Sequence, residues 1–410
     1  MKIILHMGQS KTGTTSLQAS LHAATTELSA RKVLYPRFGS GFSTHHLLVA
    51  LCGDPTRLPQ WDLDRVGGPE NAAQAAQDAW NQTCEEINST RPEVLVLSSE
   101  YLLHYLDGAG KARLATLLAE LSSDITPVIY VRHPVDHYRA SLQQWIKLRD
   151  LPFPPVDTEL REAILDTAAA FGRQPDLVAF DRQTLHGGDT VCDFAARFLA
   201  PWVKASDLQS RTANVGLSAE ALVLLVRLRA EAGGTYEVAR RLARLVPRLQ
   251  ALDESDPPAQ SLTLLPEVAE ATLRSATGHR WLAETGLLQI PGLDVDRIDG
   301  APVPDWMNTA PPESLFLHDP ERLARLQASI VQRRPKAAQV KRQAQPSAKP
   351  IPRIRDLLLR FVLRKLASLK DRKTGAVPIL DTAVRHSSQG DHDEDHSPSG
   401  NLDTGASDRA

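Results

Sequence analysis

Short apolar runs alternate with helix-like segments through the first half of this chain, and that alternation constrains the fold more than any other feature. Residues 2–7 are apolar and rich in isoleucine, and 94–97 and 126–131 are further apolar runs. Runs of this kind, with little polar alternation, read as strands covered on both faces. Residues 33–36 and 176–180 add two more strand candidates. Between them, residues 14–28, 69–89 and 111–121 have helical content, the second opening on Pro69-Glu70, and Pro134 starts a further helix reaching about Leu148. Strands interleaved with helices imply an α/β fold, a parallel sheet flanked by helices.

The second half changes character. Residues 218–232, 235–252 and 264–285 read as additional helices packed on the same sheet core, the first capped by Ser218. The chain is 410 residues long, a length that suggests about two to three domains. Its organisation reads as one α/β domain over 1–334, then a Pro-, Ala- and Gln-rich linker over 335–350. Residues 351–373 follow as a basic amphipathic helix, in which Arg353, Arg355, Arg360, Arg364 and Lys365 interleave with Leu357, Leu358, Phe361 and Leu366. Residues 374–410 are polar, with the acidic cluster Asp391, Asp393, Glu394 and Asp395, and are expected to form a disordered tail.

Composition narrows the class. Hydrophobic residues make up 42%, enough for a sizeable core. Lys and Arg total 47 against 49 Asp and Glu, a net charge of −2, which argues against a protein that coats nucleic acid. Cys52, Cys84 and Cys192 are too few and too scattered for a disulfide framework or a cysteine-rich zinc site. The run 2–7 is too short for a signal-peptide core, and no run reaches the roughly 18 apolar residues of a membrane span. The expected location is cytoplasmic.

The segment Gly8-Gln9-Ser10-Lys11-Thr12-Gly13-Thr14-Thr15-Ser16 joins the first strand to the first helix. Glycines let a backbone curl around an anion, and a helix N-terminus presents free N–H groups and a positive dipole end. Thr14, Thr15 and Ser16 add hydroxyls, and Lys11 adds a charge. This is not a Walker A loop, in which Lys follows the second Gly; here Lys11 precedes Gly13 and Thr14 takes the lysine's place. The strand at 94–97 runs into Ser98-Ser99-Glu100, without a Walker B aspartate, so an ATPase or GTPase is disfavoured.

The stretch Lys11-Thr12-Gly13-Thr14-Thr15-Ser16-Leu17-Gln18 resembles the 5′-phosphosulfate-binding loop of the sulfotransferases that use 3′-phosphoadenylyl sulfate (PAPS). A second segment, Arg132-His133-Pro134 with Ser141 further along, is similar to that superfamily's motif for the ribose 3′-phosphate. The weaker likeness continues through Phe180-Asp181-Arg182 and on to about residue 225. The resemblance implies a P-loop-type sheet. It also implies that Lys11, Thr12, Gly13, Thr14, Thr15 and Ser16 hold the phosphosulfate, and that Arg132 and Ser141 hold the second phosphate. The reaction would move a sulfuryl group from PAPS to a hydroxyl or amine of an acceptor, a glycan or a small metabolite, leaving adenosine 3′,5′-bisphosphate (PAP), with no metal required.

Lys11 would stabilise charge on the bridging oxygen as the S–O bond breaks. The acceptor's proton needs a base, for which the candidates are Glu100, at a strand's carboxyl end, and His45 in Ser43-Thr44-His45-His46. His6 reads as a packed strand residue, and Trp80, Trp145 and Trp281 as core. The alternatives are a kinase with a degenerate loop and a non-catalytic scaffold of the same fold. Residues 351–373 are a candidate for peripheral contact with an anionic membrane, against a plainer reading as a solvated helix packed at home.

Overall fold

The computed structural model describes residues 1–39, 43–148, 158–208, 216–232, 242–258 and 261–332, all within one compact unit, Met1–Val362. The readings of 335–350 as linker, 351–373 as basic helix and 374–410 as tail lie outside the described residues. In chain order the first half contains β1 (Lys2–His6), α1 (Thr14–Ala23), α2 (Thr25–Ala30), β2 (Val33–Leu34), α3 (Leu48–Cys52), α4 (Gln60–Val66), α5 (Pro69–Thr90) and β3 (Val94–Ser98). It continues with α6 (Tyr101–His104), α7 (Gly108–Ala119), β4 (Ile125–Arg132), α8 (Pro134–Leu148), α9 (Thr158–Phe171), β5 (Asp176–Phe180) and α10 (Thr190–Phe194). The second half adds α11 (Ala219–Glu231), α12 (Val246–Ser255), β6 (Thr263–Leu264), α13 (Pro266–Arg274), α14 (Thr277–Glu284), α15 (Trp306–Thr309), β7 (Phe316–Leu317) and α16 (Pro320–Gln332).

The five strands expected from the sequence form one parallel sheet in the order β2-β3-β1-β4-β5. Alternate residues of each strand face opposite layers. Ile3, Leu5, Leu95, Leu97, Ile129 and Val131 pack against α3, α5, α7 and α9. Ile4, Val94, Val96, Val128 and Tyr130 pack on the other face against Leu17 and Leu21 of α1 and Phe194 of α10. Both faces are buried, which is why these strands read as continuous apolar runs rather than alternating ones.

This order creates a crevice. From β1 the chain leaves through α1 toward β2 on one side, whereas from β4 it leaves through α8 toward β5 on the other. Connections that diverge from adjacent strands open a cleft beyond their carboxyl ends, where ligands bind in parallel sheets. Residues 7–13 and Arg132 lie at those two ends.

The second half departs from the expected packing. Leu222, Leu225 and Leu228 of α11, Leu249 of α12, Val268 of α13 and Leu326 of α16 do not lie on the sheet. They build a second apolar core with Tyr138, Leu142 and Ile146 of α8. One face of α8 is thus already covered by these helices. α14 and the segment after it do reach the sheet layer, through α9, Leu282 and Ile290. Two expected helices are broken: 14–28 at Ala24, and 264–285 between α13 and α14 at Ser275-Ala276. The third begins early, at Gly108, because the Asp107 carboxylate accepts the Gly110 N–H at 2.7 Å and caps it. Among the described residues, no helix is long and apolar enough to cross a membrane.

Candidate functional site

β1 delivers the chain into a loop that continues the ladder with β4: Met7 N–H donates to the Val128 carbonyl and Gln9 N–H to that of Tyr130. The loop then closes on itself. The Thr12 hydroxyl, fully buried, donates to the Gln9 carbonyl at 2.6 Å, and the Thr190 hydroxyl of α10 donates to the Thr12 carbonyl at 2.8 Å. Lys11 adopts a left-handed conformation, φ 65°, which costs a non-glycine residue roughly 1–2 kcal/mol. Arg132 holds it there: its Nη1 donates to the Lys11 carbonyl at 2.9 Å and its main-chain N–H to Gln9 Oε1 at 3.0 Å. At Gly13, φ is 83° and a Cβ would fall 2.3 Å from Thr190 Oγ1, so the turn admits only glycine.

α1 starts at Thr14 with no side-chain cap and no acidic residue in its first turn. Its first-turn N–H groups and its positive dipole end therefore face the loop without internal compensation. The Thr14 hydroxyl is buried and finds no partner among the described residues. A buried, unpaired hydroxyl is unfavourable, and an anion seated on the helix terminus would satisfy it. Thr15 is exposed and Ser16 half-buried. Thr12 does not join this set, since its hydroxyl is turned into the loop.

Glu100 stands at the carboxyl end of β3, just before α6, and is electrostatically paired with Lys11. Burial raises its carboxyl above the usual range, opposed by its own main-chain N–H, by Gln18 and by Lys11. Burial lowers the Lys11 ammonium from its ordinary value; Glu100 opposes that and Lys147 of α8 adds to it. The structure thus brings together the charged residue of the loop and one of the two candidate bases.

His45 is placed differently. It is fully buried, edge-on to Tyr35 with centroids 4.9 Å apart, and its Nδ1 accepts the Ser98 main-chain N–H at 3.0 Å. Its pKa is lowered to about 4, chiefly by burial. The ring braces the end of β3 and offers no nitrogen to solvent. His46 is likewise internal, its Nδ1 2.7 Å from the Ser99 hydroxyl and its ring stacked on Tyr101.

Arg132 ends β4 in register with Phe180 of β5, and its guanidinium lies over that ring, 5.1 Å from the centroid. Burial lowers its pKa; Asp136 opposes, while Arg139 and Arg182 add to the lowering. Three guanidinium groups therefore converge near the Asp136 carboxylate, which is itself bonded to Arg139 at 2.8 Å, and Arg297 and the carboxylates Asp181, Glu270 and Asp294 border the same space. They line a cleft of about 990 Å³ together with His133, Phe180 and the segment around Gly292. Ser141 is half-buried two turns into α8.

Several members were not singled out from the sequence. Arg182, two residues beyond the end of β5, could have been found from the rule that parallel-strand carboxyl ends carry ligands. Gln18 shares a face of α1 with Thr14, four residues earlier. Gln9 and Thr190 act through main-chain bonds that no pattern announces. Comparison of the chain with protein-family models, curated proteins and solved structures finds no significant match.

Proposed function

We propose that this chain is a PAPS-dependent sulfotransferase of P-loop type, acting on a hydroxyl or amine of a carbohydrate or small-molecule acceptor. The observation that carries this reading is the join between two anion sites. Arg132 donates to the carbonyl of Lys11 in the first loop, and the same guanidinium belongs to the Arg139–Arg182 cluster over the cleft. A ligand with one phosphate fits one site; PAPS, with a phosphosulfate at one end and a phosphate on the ribose, uses both. The uncapped α1 terminus, Thr14 and Ser16 would hold the 5′-phosphate, and Arg132 with its neighbours the 3′-phosphate.

In transfer, Glu100 takes the acceptor's proton as the acceptor oxygen or nitrogen bonds to sulfur. The bond from sulfur to the bridging oxygen breaks, and Lys11 stabilises the charge left on PAP. The cleft beside Phe180 suits the nucleoside. The test is calorimetry of PAP binding without metal, with magnesium-ATP as control. Micromolar PAP affinity is expected, weakened at least about tenfold by Lys11→Ala and by Arg132→Ala, as for loss of a charged hydrogen bond. Undiminished affinity in both variants, or magnesium-dependent ATP binding in place of PAP, overturns the reading.

A further inference from the structure

Beneath the loop, a buried polar chain runs from the central strand to Glu100. Gln18, on α1, is 2% exposed. Its Nε2 donates to Glu100 Oε2 at 3.2 Å and, on the other side, to Ser98, with Oγ and the carbonyl oxygen each at 3.3 Å. A carboxamide nitrogen has two N–H groups, one for each neighbour. Ser98 is itself fixed from several directions. It ends β3 in register with His6, whose Nδ1 lies 2.8 Å from the Ser98 hydroxyl. The His6 ring is wedged edge-on against Tyr130 and Phe194. His45 accepts the Ser98 N–H and donates its own main-chain N–H to the Ser98 carbonyl.

We propose that Gln18 is the positioning residue of Glu100: one amide N–H orients the carboxylate toward Lys11, while the other anchors the amide on Ser98. The helix whose N-terminus receives the anion thereby also aims the base. This rests on the reading of Lys11 as an anion ligand and Glu100 as the base. The charged and titratable groups that face Glu100 are Lys11 from the loop, Asp62 from α4, Tyr101 from α6 and Tyr35 after β2. Among them Lys11 is the cation and Asp62 a like charge, and Gln18 is the side-chain donor that joins Glu100's own main-chain N–H in offsetting burial. Removing it makes ionisation of Glu100 harder.

The experiment reads that ionisation through anion affinity and needs no acceptor. PAP and, separately, inorganic pyrophosphate are titrated calorimetrically into the full chain from pH 5 to 9, with Gln18→Met, Gln18→Glu and Glu100→Gln compared with wild type. An ionised Glu100 repels the anion, so affinity is expected to fall about tenfold as pH rises through its pKa. The Glu100→Gln profile carries the ligand's own ionisation and that of the lowered Lys11 ammonium, and lacks the fall set by Glu100. In Gln18→Met, which matches the side chain's size without a donor, the fall is expected about one pH unit higher. In Gln18→Glu, which adds a second carboxyl, it moves higher still.

A fall at the wild-type pH in either folded Gln18 variant overturns the proposal, since a merely structural glutamine would change stability and leave this inflection in place. Pyrophosphate giving the expected series while PAP fails to bind would overturn the nucleotide reading and support the role of Gln18. Neither anion binding at any pH overturns both.

Discussion

The loop contains two threonine hydroxyls with opposite fates. Thr12 Oγ1 is bonded inside the loop, whereas Thr14 Oγ1 is buried without a partner among the described residues. Replacing each by the near-isosteric valine should separate folding from binding. Thr12→Val removes a buried bond and is expected to cost about 1 kcal/mol in chemical denaturation, more if the Gln9 carbonyl is left unsatisfied. Thr14→Val removes an unsatisfied group, so its stability should equal or exceed wild type, while PAP affinity falls about tenfold. Equal stability losses in the two variants would show that the Thr14 hydroxyl is satisfied in the free protein.

Among elements, α1 joins the two halves of the site. Its N-terminus faces the glycine loop, its Leu17 and Leu21 pack under the sheet, and its Gln18 touches Glu100, the proposed base. The second core depends on a different contact. Arg322 of α16, 2% exposed, donates to Glu220 Oε2 at 2.5 Å, to the Ser218 hydroxyl at 2.7 Å and to Asp253 Oδ1 at 2.7 Å. Two carboxylates from α11 and α12 are thus neutralised by one guanidinium. Truncation leaves them facing one another in a poorly solvated space. Arg322→Ala is expected to destabilise the protein by about 3–5 kcal/mol, the usual cost of orphaning buried charge. A loss below about 1 kcal/mol on unfolding in denaturant would mean that water replaces the guanidinium.

For the whole molecule, buried imidazoles set the response to acid. His6, His45 and His46 are held neutral by burial, with pKa values lowered to about 3, 4 and 3. The unfolded chain takes up these protons below about pH 6.5, the folded chain only near its lowered values. The stability they contribute is therefore intact above about pH 6.5 and is lost as pH falls. At pH 5 each ring costs about 2 kcal/mol, so these three remove about 6 kcal/mol, and His104 and His137, lowered to about 4 and 3, act in the same sense. Asp62 acts in the opposite sense. Burial raises it to about 6, so its contribution is present at low pH, is lost as pH rises through about 6, and returns only about 1 kcal/mol at pH 5. The thermal midpoint is expected to fall markedly from pH 7 to pH 5. Equal midpoints at the two pH values would mean that these rings bind protons without opening the fold.

The five strands, the helix starting at Pro134 and the helix capped by Ser218 were legible in the chain because local rules govern them: two-sided burial makes apolar runs, and Pro and Ser mark helix starts. Gly8, Lys11 and Gly13 likewise marked the loop, since close backbone turns leave a glycine signature. Tertiary structure alone decided the rest. It made Glu100 rather than His45 the neighbour of Lys11, because the end of β3 needed a buried acceptor for the Ser98 N–H and His45 supplied it. It moved most of the later helices onto α8 rather than the sheet. It also gathered Arg139 and Arg182 beside Arg132 from separate elements. Long-range neighbours follow from how the strands are ordered and which faces are already covered, and neither has a period along the sequence.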